Sequence, residues 1–396
     1  MFELSEAQQA VQTSIRRFAK RELRWRVRKL DTAPPGTVDE ELLRTSCGVG
    51  LFSGQLPACY GGTMDRLSAA IATEEMARWD AGFATLLAAN SLAQTAITLS
   101  GNAVLMDRIF PEIVASEAQL APVLLALALT ERRLGSDFVN PAGAATTPMM
   151  VTARPRGDTY VLSGRKAYCA GGNLARWICV FATLSDDRSP SGLTGFLVPT
   201  NAPGFHVSEI LPMMGLRACP LVEFYVENVA VPAQYLLTAA GQAAPLIHQL
   251  SAYGRCQGAA IAVGLAQGAY ELARQHTLNR IQGGGPLASH QMVQQMLADM
   301  VTHIEAARLL TYKAASTEPP DLAASSMAKV FASDVAVKVT TDAVQLMGAY
   351  GTTIKSGAEK YFRDAKMTQI FEGTNEMCRL AITAPLLYAA GLRPTL

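Results

Sequence analysis

Three stretches of the chain differ in the period of their apolar residues. From Ser5 to about Leu120 the period is helical. Val11, Ile15 and Phe18 recur at three- and four-residue steps behind Ser5 and Gln8, which read as a capping box. Turn signals at Ala33-Pro34-Pro35-Gly36 and Tyr60-Gly61-Gly62 divide this stretch into separate helices. From about Val123 to Pro232, short apolar runs such as Trp177 to Leu184 and Gly195 to Val198 lie between Gly, Pro, Asp and Ser turns. Leu221 to Val231 alternates, with Val222, Phe224 and Val226 on one face and Glu223, Tyr225 and Glu227 on the other, as a strand requires. Beyond Pro232 the helical period returns. Val293, Met296, Leu297, Met300, Ile304 and Ala307 form one stripe, and Ile247 to Arg280 and Leu322 to Met347 read as long helices. A shorter helix begins near Thr374. Long helices with short connections predict a bundle. The expected fold class is multidomain α+β: an N-terminal helical domain over 1–122, a middle β domain over 123–236 and a C-terminal helical bundle over 237–396.

Composition narrows the function classes. Hydrophobic residues make up 49% and charged residues 17%, which excludes disorder and fits a chain that buries surface in a large core or an oligomer. The net charge of +1 lacks the concentrated basic face that nucleic acid demands. Arg16, Arg17, Lys20, Arg21, Arg24, Arg26, Arg28 and Lys29 cluster, and are read as the solvated face of an amphipathic helix. The seven cysteines show no C-x-x-C spacing and an odd count, so reduced thiols in the cytoplasm are expected. Five dispersed histidines suggest no metal site. The longest apolar run, Ala121 to Leu129, contains Pro122 and is too short to span a bilayer, so a soluble protein is expected. The N-terminus has no basic-then-apolar signal pattern.

The chemistry concentrates near the C-terminus. Gln369-Ile370-Phe371-Glu372-Gly373-Thr374-Asn375-Glu376 precedes a helix that Thr374 or Asn375 can cap, with Met377, Leu380, Ala381 and Ala384 on one face. Gly373 permits close approach of the backbone to a ligand. A carboxylate at 372, set between Phe371 and apolar helix residues, gains the raised pKa that a general base needs near neutral pH. The competing reading is a solvated loop glutamate before a capped helix.

The string IFEGTNEMCRL resembles the C-terminal signature of the acyl-CoA dehydrogenase family, Y-E-G-T-x-E/Q-I-Q-R. Four more segments agree in the same order. Leu129 to Asp137 is similar to the family's T-E-P-x-x-G-S-D, and Arg165 to Trp177 to its K-x-W/Y-I-T-N-G stretch. Leu216 to Leu237 resembles G-x-R-x-S…F-x-x-V-x-V-P, and Gln345 to Gly351 resembles Q-x-x-G-G-x-G. Together they span about 250 residues on the expected α, β, α background.

This resemblance implies a helical domain, a β-barrel-like domain and a four-helix bundle, with FAD between the last two and touched by a neighbouring subunit. It implies that Glu372 is the base that removes the α-proton of an acyl thioester, with Arg255 beside it, while flavin N5 takes the β-hydride. The Glu372 backbone N–H and a flavin ribityl hydroxyl would polarise the thioester carbonyl. Thr130 and Ser136 match flavin contacts, and Tyr168 the aromatic beside the isoalloxazine. Arg280, Gln291, Gln345 and Gly348 match contacts to the pyrophosphate and adenine half, and Thr374 and Glu376 positions near the ribose and phosphates. Cationic Arg280 and amides near Gly348 suit a pyrophosphate. The implied partners are a coenzyme A or carrier-protein thioester, an electron-transferring flavoprotein and further copies of the chain in a dimer or tetramer. A flavin oxidase or monooxygenase on the same scaffold, and a non-catalytic binding protein, are the alternatives.

The chain also departs from the family. Ala170 stands where a Thr or Ser hydroxyl is usual, and Ala349 replaces a glycine. Ile281-Gln282-Gly283-Gly284-Gly285 lacks the usual Phe-Gly-Lys, and Ala252 stands where an acid is common. Arg132 replaces a proline and, with Arg133, adds charge near the expected carrier entrance. These differences point to a divergent branch with a specialised acyl group.

Overall fold

The computed structural model describes residues 3–136, 149–184 and 192–391. Helices come first: α1 (Glu6–Glu22), α2 (Val27–Thr32), α3 (Glu40–Ser46), α4 (Arg66–Ala77), α5 (Ala81–Ser100) and α6 (Ala103–Ala118). The capping box forms, with Ser5 Oγ accepting the Gln8 N–H at 3.3 Å and Gln8 Oε1 accepting the Ser5 N–H at 3.0 Å. Asp39, Asp65, Asp80 and Asn102 cap α3 to α6 by the same chemistry. The basic face of α1 and α2 is less solvated than its charge pattern suggests. Arg26 is only 1% exposed and is paired with Glu22, Asp39 and Glu41, and Arg16 is bound to Glu75 at 2.6 Å. Carboxylates brought in from other helices make this burial possible.

A sheet follows, of β1 (Leu124–Ala128), β2 (Thr152–Arg156), β3 (Thr159–Ala170), β4 (Ala175–Leu184), β5 (Leu193–Pro199), β6 (Phe205–Leu211) and β7 (Leu221–Pro232). Its order is β1-β4-β2-β3-β7-β6, with β5 also on β4. On β7, Val222, Phe224 and Val226 enter the core, as the alternation predicts. Glu223, on the opposite face, is buried as well, because Arg132 and Arg165 cover its carboxylate.

Helices then return as α7 (Ala243–Asn279), α8 (Gln291–Ala315), α9 (Leu322–Gly351), α10 (Ala358–Thr368) and α11 (Asn375–Ala389). The unusual Gly-rich stretch is a tight hairpin between β8 (Ile281–Gln282) and β9 (Gly285–Pro286), with Gly283 and Gly284 at φ +66° and +90°. Positive φ at both central residues is what a two-residue turn of this kind needs. Helices, sheet and helices thus succeed one another as the apolar periods indicate. Among the described residues no helix is long and apolar enough to cross a membrane.

One buried junction joins all three parts. Lys360 of α10 lies 2.6 Å from Asp364 and 3.1 Å from Asp80, the cap of α5. Asp364 also accepts the N–H of Leu216, in the turn before β7, at 2.6 Å. Next to it, Arg363 binds Asp31 at 2.6 Å and donates to the Met214 carbonyl at 2.6 Å. The backbone packs so closely that a Cβ on Gly215 would stand 2.7 Å from the Arg363 carbonyl oxygen. The junction fixes α10, and therefore the segment that follows it.

Lys360→Met would leave two carboxylates buried without their cation, a change that costs about 3–5 kcal/mol. Urea unfolding should show that loss, and adding Asp364→Asn should recover part of it.

Candidate active site

Two successive residues in the left-handed region, Glu372 at φ +54° and Gly373 at φ +87°, turn the chain from α10 into α11. Glycine adopts this conformation freely; for glutamate it costs about 1 kcal/mol. Such strain persists only where surrounding contacts impose it. The Phe371 N–H donates to the Met367 carbonyl at 3.1 Å and the Asn375 N–H to the Gln369 carbonyl at 3.0 Å, closing the turn from both sides. Thr374 Oγ1 accepts the Met377 N–H at 3.3 Å and caps α11, with Glu376 exposed in the first turn.

The turn drives the Glu372 side chain against α7. A Cβ on Gly254 would lie 2.0 Å from Glu372 Oε2, and one on Gly258 would lie 3.7 Å from its Cγ. Gly254 therefore makes the space that the carboxylate occupies. Sequence reasoning passed over this pair, although two glycines four apart inside a long helix carry a propensity cost of about 1 kcal/mol each and mark a close approach.

Two buried cations flank the carboxylate. Arg255 is 4% exposed and donates from Nη1 to Ser326 Oγ at 2.7 Å. Among the described residues its buried Nε has no hydrogen-bond partner. Lys329, fully buried, donates from Nζ to the Gly373 carbonyl at 2.7 Å and to Asn375 Oδ1 at 2.9 Å. Asn375 is fixed in turn by Ser333 and Asp334, at 2.9 Å and 2.8 Å. Sequence analysis missed Lys329, whose position in an apolar helix was its only signal. Burial lowers the pKa of both cations, that of Lys329 to about 8. Glu372 keeps a partly open face, but protein crowds its carboxyl. That desolvation raises its pKa, while Lys329 and Arg255 pull it back.

A second group of matched residues lies on the rim of the sheet. The Ala167 N–H donates to the Thr130 carbonyl at 3.1 Å, which sets Thr130 beside Tyr168. Below them Lys166 Nζ, fully buried, reaches Glu131 at 3.0 Å and the Leu129 carbonyl at 2.9 Å. Tyr168 itself is at φ +56° and half exposed, leaving its ring open to a planar ligand. Ser136 is partly buried, and Asp137 lies outside the described residues. Arg132 is not the free charge its sequence position suggests. Its Nε lies 2.6 Å from Glu223 and its Nη2 3.1 Å from Glu209, so its charge is paired, while Arg133 beside it is exposed.

The third group is remote. Arg280, Gln291, Gln345 and Gly348 are exposed near the other end of the bundle. There His276 stacks on Tyr350 at 6.0 Å and Gly348 interrupts α9 with φ +59° and ψ −145°. Arg255 and Arg280 are 25 positions apart along α7 and its cap, about 37 Å at 1.5 Å per residue. Most of the length of α7 therefore separates the surroundings of Glu372 from Arg280.

The residues present fit a flavin dinucleotide. An open aromatic ring and a neighbouring threonine suit its polar ring system, the orphaned Arg255 nitrogen beside Glu372 leaves a donor free, and exposed Arg280 suits its phosphates.

Comparison with known proteins agrees. Residues 5–117, 126–229 and 245–387 match the N-terminal, middle and C-terminal domains of acyl-CoA dehydrogenase. The chain is 37% identical over 393 residues to a cyclohex-1-ene-1-carbonyl-CoA dehydrogenase of Geobacter metallireducens, covering 98% of this chain and 100% of that one. It is similar, with a TM-score of 0.89 and 34% identity over 98% and 99% of the two chains, to a structure from work on the electron transferring flavoprotein of Acidaminococcus fermentans. A glutaryl-CoA dehydrogenase from Mycobacterium smegmatis in complex with FADH2 matches with a TM-score of 0.85 and 25% identity, over 97% and 95%. The chain belongs to the acyl-CoA dehydrogenase family, oxidoreductases that act on CH–CH groups with a flavin.

Proposed function

We propose that this chain dehydrogenates an acyl thioester between its α and β carbons, with FAD as cofactor and Glu372 as the base. The observation that carries the reading is the placing of the Glu372 carboxylate: strained backbone, a glycine-lined slot on α7, and burial that raises its pKa. An α-proton of a thioester is weakly acidic, so its acceptor must be basic and shielded from water. Burial supplies the basicity. Lys329 and Arg255 favour the ionised carboxylate and oppose that rise. Among the described residues the Glu372 N–H has no hydrogen-bond partner, leaving it to donate to the thioester carbonyl and stabilise enolate charge. FAD, when bound, accepts the β-hydride.

Thr130, Ser136 and Tyr168 would hold the flavin ring on one copy of the chain, with Thr374 and Glu376 near its ribose and phosphates. Arg280, Gln291, Gln345 and Gly348 would hold the other half on a neighbouring copy. The length of α7 supports this division and makes a dimer or tetramer part of the reading. An electron-transferring flavoprotein is the proposed acceptor, in keeping with the Acidaminococcus fermentans similarity, and coenzyme A or a carrier protein the proposed thioester carrier. Arg133 would face that carrier, because Arg132 is already neutralised.

Glu372→Gln keeps the shape of the side chain but cannot accept the proton. Stopped-flow flavin bleaching by a thioester substrate should slow by about 10²–10⁴-fold, the usual loss for a positioned base, while FAD content stays unchanged. Bleaching near the wild-type rate would show that Glu372 is not the base.

The same electrostatics predicts the pH dependence. Bleaching should rise as Glu372 ionises, above the ordinary carboxylate range, and show a second inflection near pH 8 as Lys329 loses its proton. Lys329→Met removes a cation that favours the ionised carboxylate, so the rising limb should move to higher pH. Lys329→Arg cannot deprotonate in this range, so it should keep the rising limb and abolish the second inflection. Unchanged profiles in both variants would refute the electrostatic role.

If Arg280 holds the cofactor half bound mainly by a neighbouring copy, Arg280→Ala should lower FAD content and weaken assembly together. Absorbance at the flavin band and light scattering measure the two, and a fully loaded monomer would rule the arrangement out.

A further inference from the structure

A cavity of about 330 Å³ opens beside the candidate base, and amide and hydroxyl side chains share its walls with apolar ones such as Met64, Leu92 and Leu99. Its position follows from α7. Tyr253 and Gln257 line it, and each directly precedes one of the glycines that make room for Glu372. Leu92 of α5 also lines it, and would stand 3.4 Å from a Cβ on Gly254. Leu92 and the missing side chain at 254 lie between the cavity and the carboxylate. An acyl group with its α-carbon at Glu372 therefore extends over Gly254 and past Leu92 into this space. That placing rests on the dehydrogenation reading.

The walls carry a relay of hydrogen bonds. Thr73 donates to Gln257 Oε1 at 2.6 Å, Gln257 Nε2 to Gln55 Oε1 at 3.5 Å, and Gln55 Nε2 to Ser91 Oγ at 3.0 Å. The relay ends at Ser91, 3% exposed, whose hydroxyl hydrogen is committed to no acceptor among the described residues. The lining also contains charges, but they are engaged. Arg66 is ion-paired with Glu318 and donates to the Thr317 carbonyl, and Tyr253 donates to Glu318 at 2.8 Å. Asp65 accepts the Ser68 N–H at 2.6 Å and the Gln8 amide at 3.2 Å.

A saturated chain would strip water from these amides and hydroxyls and return no hydrogen bonds. A carboxylate or ammonium would find no unpaired counter-charge. At about 30 Å³ for each water-sized volume, the cavity holds a group of about ten heavy atoms. We propose that the physiological acyl group ends in a neutral hydrogen-bonding function, a hydroxyl or carbonyl, that meets Ser91 and Gln257.

Four coenzyme A thioesters of nearly equal length separate the possibilities: hexanoyl, 5-hydroxypentanoyl, 5-aminopentanoyl and glutaryl. Calorimetry on the FAD-loaded Glu372→Gln protein measures their binding without turnover. Wild-type kcat/KM with an artificial electron acceptor measures the reaction. The 5-hydroxypentanoyl thioester should bind about tenfold or more tightly than hexanoyl, since a site built for hydrogen bonding rejects an analogue that lacks the group. Ser91→Ala should erase most of that preference by weakening the hydroxylated ligand alone, and Gln257→Met should act in the same direction. Preference for hexanoyl, or for either charged ligand, overturns the proposal even while flavin bleaching upholds dehydrogenation. Tightest binding of the hydroxylated thioester without bleaching upholds the cavity and overturns the reaction. Equal binding of all four, or binding of none either as coenzyme A or as carrier-protein thioesters, overturns the proposal.

Discussion

The Lys360 ammonium, enclosed by Asp80 and Asp364, is the contact on which the geometry of the site rests. Ions buried together are worth little as net stability, because desolvation offsets much of their attraction. Their value here is positional. Asp80 begins α5, which lines the cavity, and Asp364 holds the turn before β7 through Leu216. From Lys360, α10 runs on to Thr368, and the turn that follows it carries Glu372. A shift of α10 by one ångström would carry the carboxylate out of its slot on α7, where a single methyl group already fails to fit.

Around Glu372 two opposing effects are balanced. Removing water makes the carboxylate a stronger base but favours its protonated form, and nearby cations favour ionisation but weaken basicity. Arg255 is anchored by Ser326 and Lys329 by Asn375, so neither closes onto the carboxylate as a tight pair. Each cation has its own partner and acts on Glu372 through space. Lys329 also holds the carbonyl of Gly373, so one side chain both shapes the turn and tunes its charge.

The large features of the fold were legible because each is periodic. The stripe that includes Met300, Ile304 and Ala307 and the alternation of β7 need only local order to be read. Glu372 was legible for another reason, since it sits in a short motif whose neighbours reappear in the structure as turn and cap. The partners of these residues were not. Nothing in the sequence near Arg132 reveals that Glu223, 91 positions away, neutralises it. Buried Arg26 was likewise read as a surface charge, because the carboxylates around it come from separate elements. Lys329 looked like an ordinary helix residue, and Gly254 meant little until the side chain opposite was known. Pairing across elements is tertiary information, and a period cannot carry it.

Helix α7 touches the candidate base in its first half and ends at Arg280. An α-helix turns by about 100° and advances about 1.5 Å with each residue. Any single insertion between Gly254 and Arg280 would therefore swing one end onto a different face, and in the proposed arrangement two copies that share a cofactor would lose register together. Drift in the length of this segment would then be closed to the chain, whereas its surface residues are free to vary. In that arrangement the helix is a gauge whose length neighbouring molecules hold in common.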